Sequence, residues 1–213
     1  MIVNEDSMYN INNIFPSPVY IAKRDSDLTS NEEKDISSIV KEGMKKNVSN
    51  FSSTNSYIFD ENLKELKQFC EQQIKIYVEQ VINPKEELDF YITQSWLNMT
   101  EPGEFHHTHY HQNSIISGVF YIAAEEDDKI TFSDPNAQVK ELIEFEQKAY
   151  NLWNSSNWFF PSITNELILF PSWLGHRVES NEKATTDRIS IAFNTFVRGN
   201  LGERKEFTEL ILK

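Results

Sequence analysis

The sequence has a single cysteine, no linker rich in glycine, proline or serine, and no long apolar run. Cys70 is the only cysteine among 213 residues, so an intramolecular disulfide is excluded. The start of the chain, residues 1–6, lacks the basic and apolar regions of a secretory signal. No apolar run approaches the ~18 to 20 residues that span a bilayer. These absences predict a soluble, cytoplasmic protein that is not bound to a membrane.

Basic residues are scarce relative to acidic ones. The chain has 20 lysines and arginines against 33 aspartates and glutamates, which gives a net charge of −13. A surface of this charge repels a phosphate backbone, so nucleic acid is not expected as a partner. The length and the lack of a linker predict one domain over residues 1–213 with a sizeable core.

Two amphipathic helices are predicted in the N-terminal part, residues 1–88. The segment Ser30-Asn-Glu-Glu33 has the form of a capping box, and the apolar spacing after it predicts a helix over residues 31–46. Asp60 can cap a second helix, whose apolar positions step by threes and fours until Asn83-Pro84 ends it. Cys70 lies on that apolar stripe, so we interpret it as a buried structural thiol rather than a nucleophile.

Short β-rich segments dominate the rest of the chain. An edge strand with two prolines is predicted over residues 14–22. After Pro84 the predicted strands, separated by turn signals, are 90–98, 114–123, 130–132, 166–170, 176–179 and 188–197. Many short strands after two helices predict a mainly β fold, a double-sheet roll over residues 89–200 with the helices packed on one sheet.

Residues 133–162 interrupt this pattern as a long polar and aromatic connection, in which residues 139–145 have the pattern of a short helix. Connections longer than ~12 to 15 residues are often lids or binding loops. Trp153, Trp158 and Phe159 in this segment either line a substrate entrance or pack the loop onto the body; the sequence leaves both interpretations open.

Histidine is concentrated in one stretch. Four of the five histidines lie between His106 and His111. Successive side chains of a strand point to opposite faces, so residues two apart project to the same side. The pairs His107/His109 and His109/His111 both satisfy this rule, and spacing alone does not choose between them.

The fifth histidine, His176, precedes an arginine that can lie beside it. Arg188 follows after a turn signal at residues 180–183, so its strand can return antiparallel to the strand of His176. Arg188 and Ser190 alternate onto one face, and a guanidinium with a hydroxyl is a good receptor for a carboxylate.

Three imidazoles converging on one ion suit iron, zinc, copper or nickel and leave positions open for substrate or oxygen. The segments of His109, His111 and His176 therefore predict a catalytic metal site. The simpler alternative is a chance cluster of histidines on a surface strand.

Taken together, these segments resemble the iron(II)- and 2-oxoglutarate-dependent oxygenases, and more narrowly the small oxygenases of this kind found in phages and marine bacteria. The resemblance spans about half the chain, from Ser95 to Val197, in the segments Ser95-Trp-Leu-Asn98, Pro102-Gly103, His109-x-His111, Ser117-Gly-Val-Phe-Tyr-Ile122, Leu169-Phe-Pro-Ser-Trp-Leu-x-His176 and Arg188-Ile-Ser190.

The narrower family's motif, His-x-His-Pro-x-Ser-x-x-Ser-Gly, matches residues 109–118 with Gln112 in the usual proline place, and it favours the pair His109/His111. His106 and His107 are then bystanders near the entrance. The wider superfamily has His-x-Asp/Glu at this point, so His111 stands where a carboxylate is usual. Either three histidines hold the metal, or His111 lies outside the ligand set and another group, such as Asp134, completes it.

The resemblance implies a double-stranded β-helix, or jelly roll, with Fe(II) at its open end. It implies O2 and 2-oxoglutarate as cosubstrates, with hydroxylation of a substrate C–H bond and release of succinate and CO2. Arg188 and Ser190 would anchor the distal carboxylate, Tyr121 would present its hydroxyl to 2-oxoglutarate, and Asn98 would reach the cosubstrate or the substrate with its amide. Core packing of Tyr121 and a strand-end turn at Asn98 are the alternatives. Trp173 is expected to wall the cavity and Trp96 the adjoining core. A phage-encoded protein would act in the host cytoplasm.

Two other functions remain open at this stage. A cupin-like metalloenzyme with three histidines would act on its substrate without 2-oxoglutarate, and a jelly-roll binding module would keep the histidines without activity. Arg188 discriminates, since only an oxo-acid cosubstrate requires it. The substrate, a small molecule or a peptide, and the oligomeric state, for which a dimer is compatible, are not specified by any residue.

Overall fold

The computed structural model describes residues 10–140, 142–143 and 145–213. The strands are β1 (Tyr20–Lys23), β2 (Met44–Lys46), β3 (Phe51–Ser53), β4 (Asp89–Thr100), β5 (His106–His109), β6 (Ile116–Ala123), β7 (Lys129–Ser133), β8 (Asn157–Pro161), β9 (Glu166–Pro171), β10 (His176–Val178), β11 (Arg188–Leu201) and β12 (Leu210–Leu212). The α-helices are α1 (Ser30–Glu42), α2 (Ile58–Glu61), α3 (Lys64–Tyr77) and α4 (Ala137–Lys140); a π-helical turn (Val78–Ile82) follows α3, and a 3-10 turn (Arg204–Glu206) precedes β12.

The two N-terminal helices form, but their limits differ from the prediction. The cap of α1 is Thr29, whose side chain accepts the amide of Glu32 while Glu32 caps the Thr29 amide in return, so the capping box lies one residue earlier than expected. The helix ends at Gly43, whose φ of 136° favours glycine, and Met44 begins a strand instead of continuing the helix.

The second predicted helix is broken. Asp60 is not its cap, because it lies inside the short helix α2. Leu63 then adopts a left-handed conformation, with φ of 55°, before α3 begins at Lys64. The apolar stripe is nevertheless correct, and Cys70 on it is fully buried. Burial raises the pKa of the Cys70 thiol, which keeps it protonated and unreactive.

The strands form two antiparallel sheets. The major sheet has the order β1-β9-β6-β11-β4-β3-β2, with β12 pairing to β11, and the minor sheet has the order β5-β10-β7-β8. The predicted strands after Pro84 are confirmed, and residues 20–23 of the proline-containing segment form the edge strand β1. The hairpin of β2 and β3 was not predicted, since its residues were assigned to the first helix or to no element.

Helices α1 to α3 cover one face of the major sheet, as predicted. Ile39 of α1 and Leu66 and Ile74 of α3 join a buried cluster with Leu97, Ile191 and other residues of the sheet. A second cluster fills the space between the sheets and contains Tyr121, Ile130, Phe132, Ile168, Phe170 and Leu174. The result is a jelly roll. The other face of the major sheet lies opposite the minor sheet and carries the polar residues of the site. Among the described residues, no helix is long and apolar enough to cross a membrane.

The connection at residues 133–162 is more ordered than expected. It contains the short helix α4 and the strand β8, which pairs with β7 so that Trp158 lies opposite Phe132. The predicted helix over residues 139–145 therefore lies in part at α4, and residues 141 and 144 lie outside the described residues. A lid role for this connection remains a prediction.

Candidate metal and cosubstrate site

Three histidines meet at one end of the roll. His109 ends β5, His111 follows it by two residues, and His176 opens β10 directly opposite His109 in the sheet register. One ring nitrogen of each lies within 4.8 Å of the others, and the Nε2 atoms of His111 and His176 are 3.3 Å apart. Within the described ranges these three form the one group of potential metal ligands of this kind.

Neighbouring groups fix the orientation of these rings. The Nδ1–H of His109 donates to the carbonyl of His107 at 2.9 Å, and that of His176 donates to the carbonyl of Leu174 at 3.0 Å. Each bond leaves the Nε2 lone pair free to bind a metal ion, as outer hydrogen bonds do in metal sites. Trp96 stacks on the ring of His111 at a centroid distance of 5.9 Å.

Burial keeps the imidazoles neutral. It lowers the pKa of His176 to about 3 and that of His111 to about 4, and it also lowers the pKa of His109. The positive charge that each ring would carry if protonated adds to this effect. Asn194 acts in the opposite direction on His111 by hydrogen bonding. Neutral rings are the form in which histidine binds metals.

The two other histidines of the cluster occupy different places. His106 lines the cavity, and its ring stacks on that of His109 at a centroid distance of 4.2 Å, so it is closer to the site than a bystander near an entrance. Burial lowers the pKa of His106 to about 4. His107 is exposed; its carbonyl accepts the Nδ1–H of His109, and its ring lies 5.9 Å from the ring of His109 between centroids.

Asp134 lies outside the three-histidine group. Its Oδ1 accepts the amide of Asn136, and its own carbonyl accepts the amide of Ala137 at the start of α4. This is the turn-forming use of an aspartate before proline. A role for Asp134 in completing the ligand set remains a prediction, and the geometry does not support it.

The expected carboxylate anchor lies on the inner face of the major sheet. Ser190 of β11 pairs with Asn98 of β4 on one side and with Tyr121 of β6 on the other, so that these three residues form one row. Arg188 lies two residues earlier on the same face. All four line a narrow cavity of about 50 Å³ together with His109, His111 and His176. A dicarboxylate therefore requires the lining side chains to move apart.

Arg188 is held by a buried carboxylate that the sequence did not indicate. Its Nη1 donates to Oδ1 of Asp128 at 2.7 Å, and both side chains are almost fully buried. Asp128 also accepts from the side chain of Asn181 and from the amide of Glu125. Residues 123–129 are one of the turn signals between the predicted strands, and their four consecutive acidic residues do not reveal which one is turned inward.

Two polar atoms of the anchor have few partners among the described residues. Nη2 of Arg188 is buried without a hydrogen bond, and the hydroxyl of Tyr121 is buried with only the Ser162 hydroxyl close enough to act on its pKa by hydrogen bonding. Burial raises the pKa of Tyr121, so the phenol remains a hydrogen-bond donor. Buried polar groups are normally satisfied, and unsatisfied donors in one cavity are the arrangement expected for an anion-binding site that awaits its ligand.

The N-terminal hairpin also reaches the cavity. Ser52 of β3 donates to Oδ1 of Asn98 at 2.8 Å and accepts from Asn47, and Asn50 is buried in the cavity wall. The carbonyl end of Asn98 is therefore occupied, which leaves its amide nitrogen for a ligand. Sequence reasoning missed these residues because they are distant from the histidine motifs.

The aromatic residues are placed differently from the prediction. Trp96 lines the cavity by stacking on His111, whereas Trp173, expected as a cavity wall, is about half exposed and is not a lining residue. Trp153 and Trp158 line a second, larger cavity. Phe159 points the other way, with the ammonium group of Lys129 5.2 Å from its ring centroid.

The fold and the site define a jelly-roll protein with a three-histidine candidate metal centre, and comparisons with known proteins agree. Residues 94–194 match a family described as "Putative 2OG-Fe(II) oxygenase". A search of curated protein sequences found no match.

Solved structures with the same fold include a 2OG-Fe(II) oxygenase family oxidoreductase from Burkholderia pseudomallei (TM-score 0.55, 9% identity, 83% of each chain covered). They also include a prolyl-4-hydroxylase from Pseudomonas putida (TM-score 0.53, 13% identity, 84% of this chain and 93% of that one). HygX from Streptomyces hygroscopicus, solved with nickel, 2-oxoglutarate and hygromycin B, is a third (TM-score 0.52, 10% identity, 84% and 82%). The resemblance to the 2OG-Fe(II) oxygenases is thus confirmed for the core of the chain.

Proposed function

We propose that the protein is an iron(II)- and 2-oxoglutarate-dependent dioxygenase that hydroxylates a substrate and releases succinate and CO2. One observation carries the proposal: three imidazoles that can bind a metal share a cavity with the Tyr121 phenol and with a buried Arg188 nitrogen that has no hydrogen-bond partner among the described residues. 2-Oxoglutarate requires both parts: a metal ion for its 2-oxo acid group and a hydrogen-bonding receptor for its distal carboxylate.

His109, His111 and His176 would hold the iron. Their donor atoms lie within 4.8 Å of one another, the rings are neutral, and imidazole nitrogen is a suitable ligand for iron. When bound, the iron would supply the oxygen chemistry, and the protein would supply binding and orientation. The residues present therefore fit the metal, although no carboxylate belongs to the group.

Arg188 and Tyr121 would anchor the distal carboxylate of 2-oxoglutarate. Nη2 of Arg188 and the Tyr121 hydroxyl are both buried donors beside a narrow cavity, where charge-assisted hydrogen bonds are strong. Ser190 and the amide of Asn98 lie in the same row and can donate further bonds. Because Asp128 holds Nη1, the carboxylate would be bound through Nη2 of the guanidinium.

The Asp128 carboxylate also balances the charge of the site. In a site with two histidines and one carboxylate, Fe(II), that carboxylate, an arginine and the dianion sum to zero. Replacing the carboxylate by His111 adds one positive charge. Asp128, buried against Arg188, restores the sum to zero. This supports His111 as a ligand, because a ligand set with an additional carboxylate would leave the site with a net negative charge.

A three-histidine metalloenzyme that acts without 2-oxoglutarate is the second candidate. The absence of a carboxylate from the described ligand group favours it. The unpaired Arg188 nitrogen argues for the first candidate, since an enzyme without an oxo-acid cosubstrate has no use for this donor.

An anaerobic titration separates these functions. Fe(II) followed by 2-oxoglutarate is expected to produce the visible charge-transfer band of a chelated oxo acid, and Arg188→Ala is expected to require far more 2-oxoglutarate for the same band. Metal-dependent activity without a band would establish the second candidate. Metal binding no tighter than that of a surface histidine pair would leave only a binding module.

The buried histidines predict an unusual pH dependence. Metal affinity is expected to fall far less between pH 7 and 5.5 than it would at exposed histidines, because burial lowers the pKa of His111 to about 4 and that of His176 to about 3, and it also lowers the pKa of His109. Three exposed imidazoles of pKa ~6.5 would lose affinity several hundred-fold, roughly, over this interval. Calorimetric titration with Zn(II) at both pH values measures the difference.

The same shifts predict a loss of stability in acid for the metal-free protein. Below about pH 6.5 the unfolded chain binds protons that the folded state excludes, so the free energy of unfolding falls until the folded-state pKa values near 4 are reached. A several hundred-fold loss of Zn(II) affinity with an unchanged melting temperature would show that the histidines are solvated.

We also propose that residues 1–213 form one domain, that the protein is cytoplasmic, and that its partners are a small-molecule or peptide substrate and not nucleic acid. The net charge of −13 and the single buried cysteine support this.

A further inference from the structure

Three serines of the sequence motifs have no role in the function proposed above. Ser114 and Ser117 belong to the motif over residues 109–118, and Ser172 lies four residues before His176. The hydroxyls of Ser117 and Ser172 are 2.8 Å apart, and that of Ser172 donates to that of Ser114 at 2.7 Å. Ser117 and Ser172 are almost fully buried. The three hydroxyl groups form one connected row, which we call the serine chain.

The serine chain leads to Asn194 of β11. The hydroxyl of Ser117 donates to Oδ1 of Asn194 at 3.3 Å, and the two residues are paired in the register of β6 and β11. Asn194 is itself buried, with 8% of its surface exposed. An amide oxygen has two lone pairs, so Oδ1 can accept a second hydrogen bond besides that of Ser117.

The fold places Asn194 beside the ring of His111. Ala192 lines the three-histidine cavity, and Asn194 is the next residue of β11 on the same face. Trp96, which stacks on the His111 ring, pairs with Ala192 across the sheet. The backbone amide of His111 also donates to the carbonyl of Ser172 at 3.1 Å. The segment of His111 is therefore attached to the serine chain through its backbone as well.

The orientation of the ring indicates which atoms meet. Nε2 of His111 faces Nε2 of His176 at 3.3 Å, so Nδ1 is the nitrogen that remains for an outer partner. Burial lowers the pKa of His111, and hydrogen bonding with Asn194 acts against this shift. A partner that accepts from a ring N–H has this effect, because it stabilises the protonated ring. The amide oxygen of Asn194 is therefore the acceptor.

We propose that Asn194 is a positioning residue of the metal site, whose Oδ1 accepts the Nδ1–H of His111 and so directs Nε2 toward the metal. The serine chain holds the Asn194 amide in place. Backbone carbonyls do the same for His109 and His176, whose Nδ1–H groups they accept. The inference rests on the part of the proposed function that assigns His111 to the metal, and not on 2-oxoglutarate.

Two substitutions of Asn194 test the role of its oxygen. Asn194→Leu removes the acceptor at similar size and is expected to weaken Zn(II) binding about 10- to 100-fold, as loss of an outer partner of a ligating histidine does. Asn194→Asp retains an accepting oxygen and is expected to bind Zn(II) at least as tightly as the unaltered protein. Calorimetric titration measures both affinities. An equal loss in the two variants, or no loss in Asn194→Leu, would overturn the proposal.

Thr195→Val is the matched control on the same strand. Thr195 is fully buried and lies on the opposite face of β11 from Asn194. Its hydroxyl donates to the carbonyl of Ile116 at 2.8 Å and accepts the amide of Ile116 at 3.1 Å. Loss of these bonds is expected to lower the melting temperature and to leave the Zn(II) affinity unchanged. If Thr195→Val weakens Zn(II) binding as much as Asn194→Leu, damage to β11 alone explains the loss and Asn194 has no positioning role.

The ring nitrogens give a direct readout by NMR of protein labelled with ¹⁵N-histidine and loaded with Zn(II). His111 is expected to bind through Nε2 and to show an Nδ1–H signal that exchanges slowly with water. In Asn194→Leu this signal is expected to disappear, while those of His109 and His176 remain because backbone carbonyls hold them. Zn(II) bound to Nδ1 of His111 in the unaltered protein would overturn the proposal even if no Asn194 variant folds.

These outcomes are distinct from a failure of the oxygenase function. Zn(II) binding by the unaltered protein no tighter than that of a surface histidine pair would remove the metal site, and with it both the function and the role of Asn194. Tight binding that every Asn194 variant shares would remove only the role of Asn194. Tight binding that depends on Asn194, without a charge-transfer band from Fe(II) and 2-oxoglutarate, would retain that role and remove the oxygenase function.

Discussion

His176→Ala is expected to lower the affinity for Fe(II) more than about 100-fold and to abolish turnover of 2-oxoglutarate, since removal even of groups that only orient metal ligands costs 10 to 100-fold. His176 is the most buried of the three histidines, and the carbonyl of Leu174 fixes its ring. His109→Ala and His111→Ala are expected to have similar effects. Metal analysis after anaerobic loading and gel filtration measures the bound iron.

His107→Ala is the matched control, because His107 is exposed, lies outside the group of potential metal ligands, and keeps its hydrogen bond to His109 through the backbone carbonyl when the side chain is removed. It is expected to bind iron like the unaltered protein. A mild effect of His111→Ala beside a large effect of His109→Ala would show that His111 lies outside the ligand set. Comparable effects would establish three histidines as the ligands.

Arg188→Ala is expected to weaken binding of 2-oxoglutarate roughly 100-fold, because a buried charged partner of the carboxylate is lost. Iron binding should persist, since the variant leaves the three histidines intact. The same change removes the partner of Asp128, which costs about 3 to 5 kcal/mol of stability when a buried ion pair is broken. The melting temperature is therefore expected to fall.

A double variant separates the two effects. Arg188→Gln with Asp128→Asn replaces the ion pair by two neutral amides that can bond to each other, so the melting temperature is expected to recover relative to Arg188→Ala. Binding of 2-oxoglutarate is expected to remain weak. If the double variant restores 2-oxoglutarate binding together with stability, Arg188 serves only the fold and the anchor assignment is wrong.

The local patterns of the sequence predicted most elements and missed several limits. Alternation and turn residues identified most strands of the roll, because these signals depend on neighbours in the chain, but β5 and β8 of the minor sheet were not among the predicted strands. The capping box was placed one residue late, since Thr29 and Ser30 both precede a glutamate by three residues and only the backbone conformation distinguishes them. Leu63 was expected within a continuous helix, but a left-handed residue leaves no trace in an apolar spacing.

In the candidate site, too, some features follow from the sequence and others only from the tertiary structure. The sequence by itself determined the presence of His109, His111, His176 and Arg188, because each stands in a motif whose spacing limits where its side chain points. Only the tertiary structure decided what surrounds them. Asp128 contacts Arg188, and Trp96 contacts His111, although each pair is separated along the chain. Sheet register and the packing of one layer on another produce these contacts, and neither is encoded in the order of neighbouring residues.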